Sequence, residues 1–453
     1  MIKRTERTPH RAARRTEMGE KMRKEIGRRR AGLLCMLLCL ILAAGCLAEV
    51  PGTVGISALP AGAVSENDDV PTEEEPLEPL SIPAEEALET STPSVEEVPA
   101  NHMTEAGVSE TEAAAEAAPS SGETFTFSFI GDCTVGGDVT DGYSTESGYT
   151  RFIRQKGLDY PFSAVADMFA RDDLTVANCE GVLSDKKGLS AVKQKMNLIG
   201  PPEFAEVFAL GNVDVCNLAN NHGKDFRGKG QQNTAENLAR YGVGSFYDEH
   251  TWSTTVKGVK VGFVGYTYPM NDAKLKKYVQ GMEQLRAEGC TFVVASAHWG
   301  RETYYYLDAN QAYGRKLIDA GFDMVFGHGS HTCQMIRYYK NKVILYGMSN
   351  FTFGANSSPK DADTAVVQVV YDIHPDGSMT ARELFCYPFK MHQDHDFRPC
   401  PIEDEEGKQR VWAKMYYNNY PKPKNKAPYP SLPESFLTTG YADLTAPELQ
   451  NQE

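Results

Sequence analysis

Five stretches of this sequence end in side chains able to bind a cation or move a proton. TFTFSFIGD closes on Asp132, and LTVANCE carries Asn178 and Glu180. VDVCNLANNH closes on Asn220, Asn221 and His222, with Asp225 three residues further on. FVVASAHWGRE carries His298 and Glu302, and FDMVFGHGSH closes on His328 and His331. Carboxylate, amide oxygen and imidazole together suit a divalent Zn, Mn or Fe, and no clustered Cys points to a thiolate site. Two such ions about 4 Å apart need a shared carboxylate to offset their repulsion, a place Glu180 fits. Each ending alone has a plainer reading: an Asp or Asn caps a turn or a helix, and a lone His is structural. Five endings with the same bias point to one shared site, of one or two ions.

Such a site needs elements that bring the endings together. TFTFSFIGD alternates like a strand before a turn, whereas PFSAVADMFARDD is amphipathic and helical. PPEFAEVFALGN reads as a helix with Pro at its start, TAENLARYG as a helix stopped by Gly242, and LKKYVQGMEQLRAEG and QAYGRKLIDAG as helices. VKGVKVGFVGYTY reads as a hairpin turning at Lys257-Gly258. Further hairpins are expected to turn at Lys340-Asn341 and at Pro375-Asp376. Strands alternating with helices give an α/β domain, and sites in open α/β sheets form at the carboxyl ends of strands. His328 and His331 would face opposite sides of a continuing strand, so they must sit on a turn, which Gly327 and Gly329 permit.

The motifs GDCTVGGD, ANCEGVLS, LANNHGKDF, HWGRE, GHGSH and YGMSNFTF occur in this order. The set resembles the bacterial CapA family of poly-gamma-glutamate (capsule) synthesis proteins, a family similar to the calcineurin-like metallophosphoesterases. The resemblance covers about residues 124 to 395. It implies a β-sandwich with helices on both outer faces and a site at one edge of the sheets. It also implies that Asp132 binds one metal and Glu180 bridges two. Asn221, His298 and His328 would complete one site, with His331 in the other. By the same resemblance His222 faces the substrate as an acid or charge stabiliser, with Asp225 orienting its ring. Asn178, Arg227 and Glu302 are the candidate substrate contacts; for Arg227 a solvated loop position, and for Glu302 a salt bridge or loop hydrogen bond, are the bland alternatives. Four departures stand out. Thr134 occupies the place where metallophosphoesterases usually carry His, which leaves the first metal site poorer in ligands. Ser330 replaces a usual Pro, and Ser349 a usual Gly; Arg227 also stands where Gly is usual. Tyr304, Tyr305 and Tyr306 lie near the expected site mouth, as ligand contacts or as a packed loop.

The 453-residue chain carries a net charge of −15, very unevenly spread. Residues 1–30 are basic, and no Lys or Arg follows Arg30 until Arg151. Residues 31–48 form an uncharged apolar run of about 18 residues, roughly 27 Å as a helix, enough for a bilayer core. Basic residues on its N-terminal side favour an N-in, C-out orientation. It reads as a retained anchor, a lipoprotein signal with Cys46 lipidated, or a signal cleaved before Glu49. Each alternative puts the rest of the chain outside the cytoplasm, at the cell membrane or secreted. Residues 49–122 are acidic, rich in Pro, Ala, Ser, Thr and Glu, and too poor in apolar surface to order themselves; they read as a stalk. Residues 396–453 read as a C-terminal extension, Pro-rich and polar after about residue 420, along the surface or partly disordered. The basic cluster belongs to the targeting signal, so nucleic acid is not an expected partner. Of the ten Cys, three lie in or beside the apolar run; the other seven contain no CxxC pair and read as small buried residues.

Two functional classes remain. One is a tethered accessory to a membrane-bound polymer synthase complex, handling an anionic polymer through its metal ions. The other is a stand-alone extracellular metal-dependent phosphoesterase.

Overall fold

The computed structural model describes residues 122–139, 148–185, 187–307, 309–356, 358–392, 396–418 and 432–450. The basic, apolar and acidic N-terminal segments lie outside the described residues. Among the described residues, no helix is long and apolar enough to cross a membrane.

The described strands form three sheets. The path of the largest runs Cys400–Pro401, Met379–Lys390, Asp363–Ile373, Thr124–Thr134, Leu174–Cys179, Val215–Asn217, Gly244–Phe246, with Asn350–Phe353 added beside Thr124–Thr134 and Tyr441–Asp443 beside Met379–Lys390. The second runs Ile336–Tyr339, Lys342–Leu345, Met324–His328, Phe292–His298, Val259–Thr267, Asp248–Val256. A small third sheet joins Gly137–Asp138, Leu198–Gly200 and Val182–Leu183.

Side chains alternate faces along a strand, and the core follows that period. Phe125, Phe127 and Phe129 share one apolar cluster with Val261 and Phe263, Phe292 and Val294, and Met324 and Phe326 of the second sheet. The intervening residues Val293, Ala295 and Val325 face the opposite way, into a cluster with Tyr278 and Leu285 of the helix Asp272–Ala287 and with Leu317 of the helix Tyr313–Asp319. Ala177 and Cys216 likewise pack outward with Phe204, Phe208 and Leu238 from helices over the first sheet. The two large sheets therefore pack face to face, with helices on both outer faces.

The hairpins turn where the sequence places them: Lys257 and Gly258 have φ of 51° and 73°, and Lys340 and Asn341 have 48° and 59°. PFSAVADMFARDD forms only a short 3-10 turn, Tyr160–Phe162, and the four-residue helix Ala166–Phe169. Its Pro161 and its Arg-Asp-Asp ending leave little room for a longer helix. The C-terminal segment differs from a surface tail. Val411, Trp412, Met415, Leu432, Phe436, Ala442 and Leu444 enter the main core, because Tyr441–Asp443 adds a strand to the first sheet. All seven Cys outside the apolar run are free, and six are buried.

Phe127 sits at the centre of the inter-sheet layer, with ring centroids of Phe125, Phe129, Phe292 and Tyr371 at 4.7, 5.6, 5.7 and 5.8 Å. Phe127→Ala is expected to lower unfolding stability by about 3–5 kcal/mol in a urea titration, with the denaturant slope unchanged.

Candidate metal centre and cleft

The parallel register of neighbouring strands aligns their polar ends. Asp132 is level with Asn178 and with Asn350, and Asn178 with Asn217. In the other sheet His298 is level with His328. Across the seam, two groups of ligand atoms converge, each within 4.8 Å: Asp132, His298 and His328, and Asp132, Glu180 and His331.

Asp132 is fully buried, and three neighbours hold it. Asn178 Nδ2 donates to Oδ1 at 2.8 Å, and the Gly329 N–H donates to Oδ2 at 3.2 Å. His331 Nδ1 lies 3.4 Å from Oδ2. Burial alone would raise the Asp132 pKa, but His331, His298 and Asn178 outweigh it and keep the carboxyl below its usual range. Glu180 has no such support. Both its carboxylate oxygens are buried without a hydrogen-bond partner. Burial first, and then the neighbouring Asp132 charge, push its pKa up to about 7.

The imidazoles divide. His328 and His298 share a 2.9 Å Nδ1–Nδ1 contact, and His328 Nε2 is hydrogen-bonded to Ser296 Oγ at 2.9 Å. Burial lowers His328 to about 3; burial, and then His328 beside it, carry His298 well below its ordinary value. Both are therefore neutral, the state in which imidazole is a ligand. His331 behaves oppositely. Burial opposes its charge, but Glu180, Asp132 and Asn350 overcome that and push it up to about 10. Its Nδ1 donates to Asn350 Oδ1 at 2.6 Å.

His222 lies beside this cluster. Its Nδ1 is 2.8 Å from Asp225 Oδ2. Asp225 is fully buried and also accepts from Gln194 Nε2 at 2.6 Å and the Leu198 N–H at 2.5 Å. Burial works against a charged His222, but Asp225 and Glu180 raise its pKa on balance.

A cleft of about 770 Å³ opens beside the cluster, lined among others by His222, His331, Asn221, Asn350, Glu302, Gln194, Lys195 and Lys360. Asn221 and Glu302 are exposed on its wall.

Two readings of the sequence change. Asn178 is no substrate contact: it is fully buried, and its amide is used in holding Asp132 and in accepting from Asn217 and Asn220 at 2.8 and 3.1 Å. Arg227 is exposed and does not line the cleft. Its φ of 60° explains why Gly is usual there, as does the 61° of Ser349. Asp132 belongs to both groups of converging atoms and Glu180 to one. The turn that separates His328 from His331 uses Gly329, with φ of 90°, and His331 itself, with 54°; Gly327 stays in its strand, packed against Trp299 and Tyr346.

The departures from the family pattern are structural. Thr134 Oγ1 donates to the Glu180 carbonyl at 2.7 Å, which fixes the turn that presents Glu180. Ser330 is buried, with Oγ donating to the Thr332 carbonyl at 2.8 Å. Tyr304 stacks under the Arg301 guanidinium at 4.1 Å, and Tyr305 reaches Asp361 Oδ2 at 2.9 Å, so this segment is a packed loop rather than an aromatic clamp. Asn350, Asn217 and Ser296 were missed as partners of the cluster. Only Asn350 had a signal, its place in YGMSNFTF. Lys195 and Lys360 had none.

The residues fit a divalent ion. A buried carboxylate without a partner is costly unless a cation compensates it, and two neutral imidazoles stand close by. Cys133 and Cys179 flank the cluster, but burial raises both thiols, which leaves oxygen and nitrogen donors.

The matches to known proteins agree with this geometry. The model of the family described as "Bacterial capsule synthesis protein PGA_cap" matches residues 126–355. The chain belongs to this family. It is 25% identical over 334 residues to "Capsule biosynthesis protein CapA" of Bacillus anthracis, covering 68% of this chain and 77% of that one. It is 26% identical over 307 residues to "PGA biosynthesis protein CapA" of Bacillus subtilis, covering 63% and 75%. A shorter stretch of 55 residues, 12% of this chain and 14% of the other, is 46% identical to a "Probable polyglutamine synthesis accessory protein" of Mycobacterium tuberculosis.

In chelator at pH 8, Glu180→Gln is expected to raise stability by on the order of 1–3 kcal/mol, because the uncompensated charge is gone. The sign follows from a carboxyl raised from 4.5 to about 7: wild-type stability falls as pH rises through that window, and the variant does not follow it. Paired urea titrations at pH 4.5 and 8 check this. The His222–Asp225 pair has the opposite sign. Its stabilisation is complete below the ordinary His value and is lost as pH rises through the raised one. Asp225→Asn is expected to move the His222 midpoint downward in an NMR titration.

Proposed function

We propose that the protein acts in the synthesis, export or anchoring of an anionic capsule polymer of the poly-gamma-glutamate type, as a membrane-tethered extracellular domain that holds one or two divalent ions. The observation that carries this reading is the buried, partnerless Glu180 carboxylate, converging with Asp132 and three imidazoles at the edge of a cleft whose rim bears Lys195 and Lys360. Family membership and the names of its relatives point the same way. The tether rests on the apolar run 31–48 and its basic flank. A synthase complex in the same membrane would be the natural partner.

Asp132, His298 and His328 would hold one ion, and Asp132, Glu180 and His331 the other, in Zn, Mn or Fe form. When bound, such an ion supplies positive charge and Lewis acidity toward carboxylate, carbonyl or phosphoryl oxygen. Asp225 takes the proton-bearing Nδ1 side of His222, so Nε2 is the atom left to give a proton to a group in the cleft. Such general acid help is typically worth about 10²- to 10⁴-fold. Lys195 and Lys360 add charge complementary to a polyanion. Asn221, on the cleft wall, keeps its expected place as a donor to an ion, and Glu302 on the same wall would contact the chain of the ligand.

The test uses full-length protein purified in detergent. Metal analysis is expected to find one or two Mn, Zn or Fe ions per chain, and a clear loss in His298→Ala. Binding of a γ-linked glutamate oligomer is expected only in the metal-loaded protein. Metal-dependent cleavage of a generic phosphodiester without oligomer binding would move the assignment to a stand-alone phosphoesterase.

A further inference from the structure

Part of the wall of the cleft comes from two loops. One contributes Glu302 and Thr303, and the other runs from Ala355 to Asp361 and contributes Lys360. Neither loop is part of a helix or strand. We infer that the helix Glu405–Tyr416 positions both loops, with Lys414 as the positioning residue, and so sets the width of the ligand cleft. The inference rests on the reading of this cleft as the ligand site.

The contacts are unusually concentrated. Lys414 is only 4% exposed. Its Nζ donates to both oxygens of Asp361, at 2.9 and 2.7 Å, and to Asp363 Oδ2 at 2.6 Å. One turn earlier on the same helix face, Arg410 meets Asp363 in a fork, with Nε to Oδ2 at 2.7 Å and Nη2 to Oδ1 at 2.9 Å. Asp363 begins the strand Asp363–Ile373, so the helix is anchored to the sheet there. Asp361, two residues earlier, belongs to the cleft wall.

The second loop is tied to the same place. Tyr305 Oη donates to Asp361 Oδ2 at 2.9 Å, and its ring centroid lies 5.5 Å from Lys414 Nζ. Just beyond the helix end, Asn418 Oδ1 accepts from the Leu307 N–H at 3.1 Å. Arg410, Lys414 and Asn418, spaced by four, thus touch the sheet, the first loop and the second loop in turn.

The physical logic is that of a buried cation. Placing an ammonium in the interior is expensive unless several oxygens surround it, and removing it leaves two carboxylates facing each other. The loops therefore have one favourable arrangement, the one that keeps Asp361 on Lys414. That fixes Lys360, the next residue back, at the rim. Residues 405–418 lie beyond the 126–355 matched by the family model.

The test uses full-length protein with Lys414→Met and, separately, the double variant Tyr305→Phe/Asn418→Ala, which cuts the ties of the second loop and leaves Lys414 on Asp361. Amide hydrogen exchange is expected to rise ~10-fold or more over residues 301–307 and 354–361 in Lys414→Met and over residues 301–307 in the double variant, with exchange in the strands Phe292–His298 and Met324–His328 unchanged. Metal content is expected to stay at the wild-type level while affinity for a γ-linked glutamate oligomer falls ~10-fold. Unchanged loop exchange, or looser loops with undiminished oligomer affinity, would overturn the inference. So would exchange rising equally throughout the domain, the mark of a purely stabilising helix. If Lys414→Met does not fold, the double variant still tests whether the helix positions the 301–307 loop. If the wild type binds no oligomer, the ligand reading fails, and the exchange result alone upholds or rejects the positioning of the loops.

Discussion

Two carboxylates buried side by side, Asp132 and Glu180, set the terms for the rest of this molecule. Neither has water to screen it, and their charges repel. Around Asp132 the fold supplies an amide, a backbone N–H and an imidazolium-prone His331. To the Glu180 carboxylate it supplies no hydrogen bond at all. The neutral pair His298–His328 adds lone pairs rather than positive charge. The site is therefore built at a cost to stability, and the cost falls on the atoms best placed to meet a cation.

Such a cluster survives only on a rigid support. The inter-sheet layer of aromatic and branched side chains provides it, with Phe127 in contact with rings from both sheets. The strands that lead to Glu180, His298 and His328 are buried along their whole length. The irregular parts are confined to the ends. A register shift in Thr124–Thr134 separates Phe129 from Asp132, and positive φ angles at Gly329 and His331 turn the chain back over the seam. The C-terminal segment extends this division of labour: its core residues complete the large sheet, and its polar helix face reaches forward to the loops of the cleft.

Much of this was legible before any coordinates. Alternation in TFTFSF and the Gly-containing turns named the strands and hairpins, since period and turn chemistry are local properties. The bias of five strand endings toward Asp, Glu, Asn and His named the cluster, because side chains of that kind rarely gather at strand ends without a common purpose. The roles were less legible. Asn178 reads like a ligand contact in sequence, yet in space its amide is consumed by Asp132, Asn217 and Asn220. Arg227 reads like an anion contact, yet it is exposed and stands outside the cleft lining. The helical period in PFSAVADMFARDD overstated a segment that forms only two short turns, and the buried C-terminal segment escaped the reading because its polar, Pro-rich composition hides its core residues.

The sequence by itself determined the element types, the order of the motifs and the donor set: hard oxygen and imidazole, without thiolate. Tertiary structure alone decided which carboxylate both ligand groups share, which imidazoles stay neutral, and that Lys414 faces Asp361 and Tyr305 across more than fifty residues of chain. The reason is the range of the forces. Dihedral preferences and hydrophobic periods act between neighbours in sequence. Burial and charge act between neighbours in space, and those neighbours exist only once the two sheets have packed.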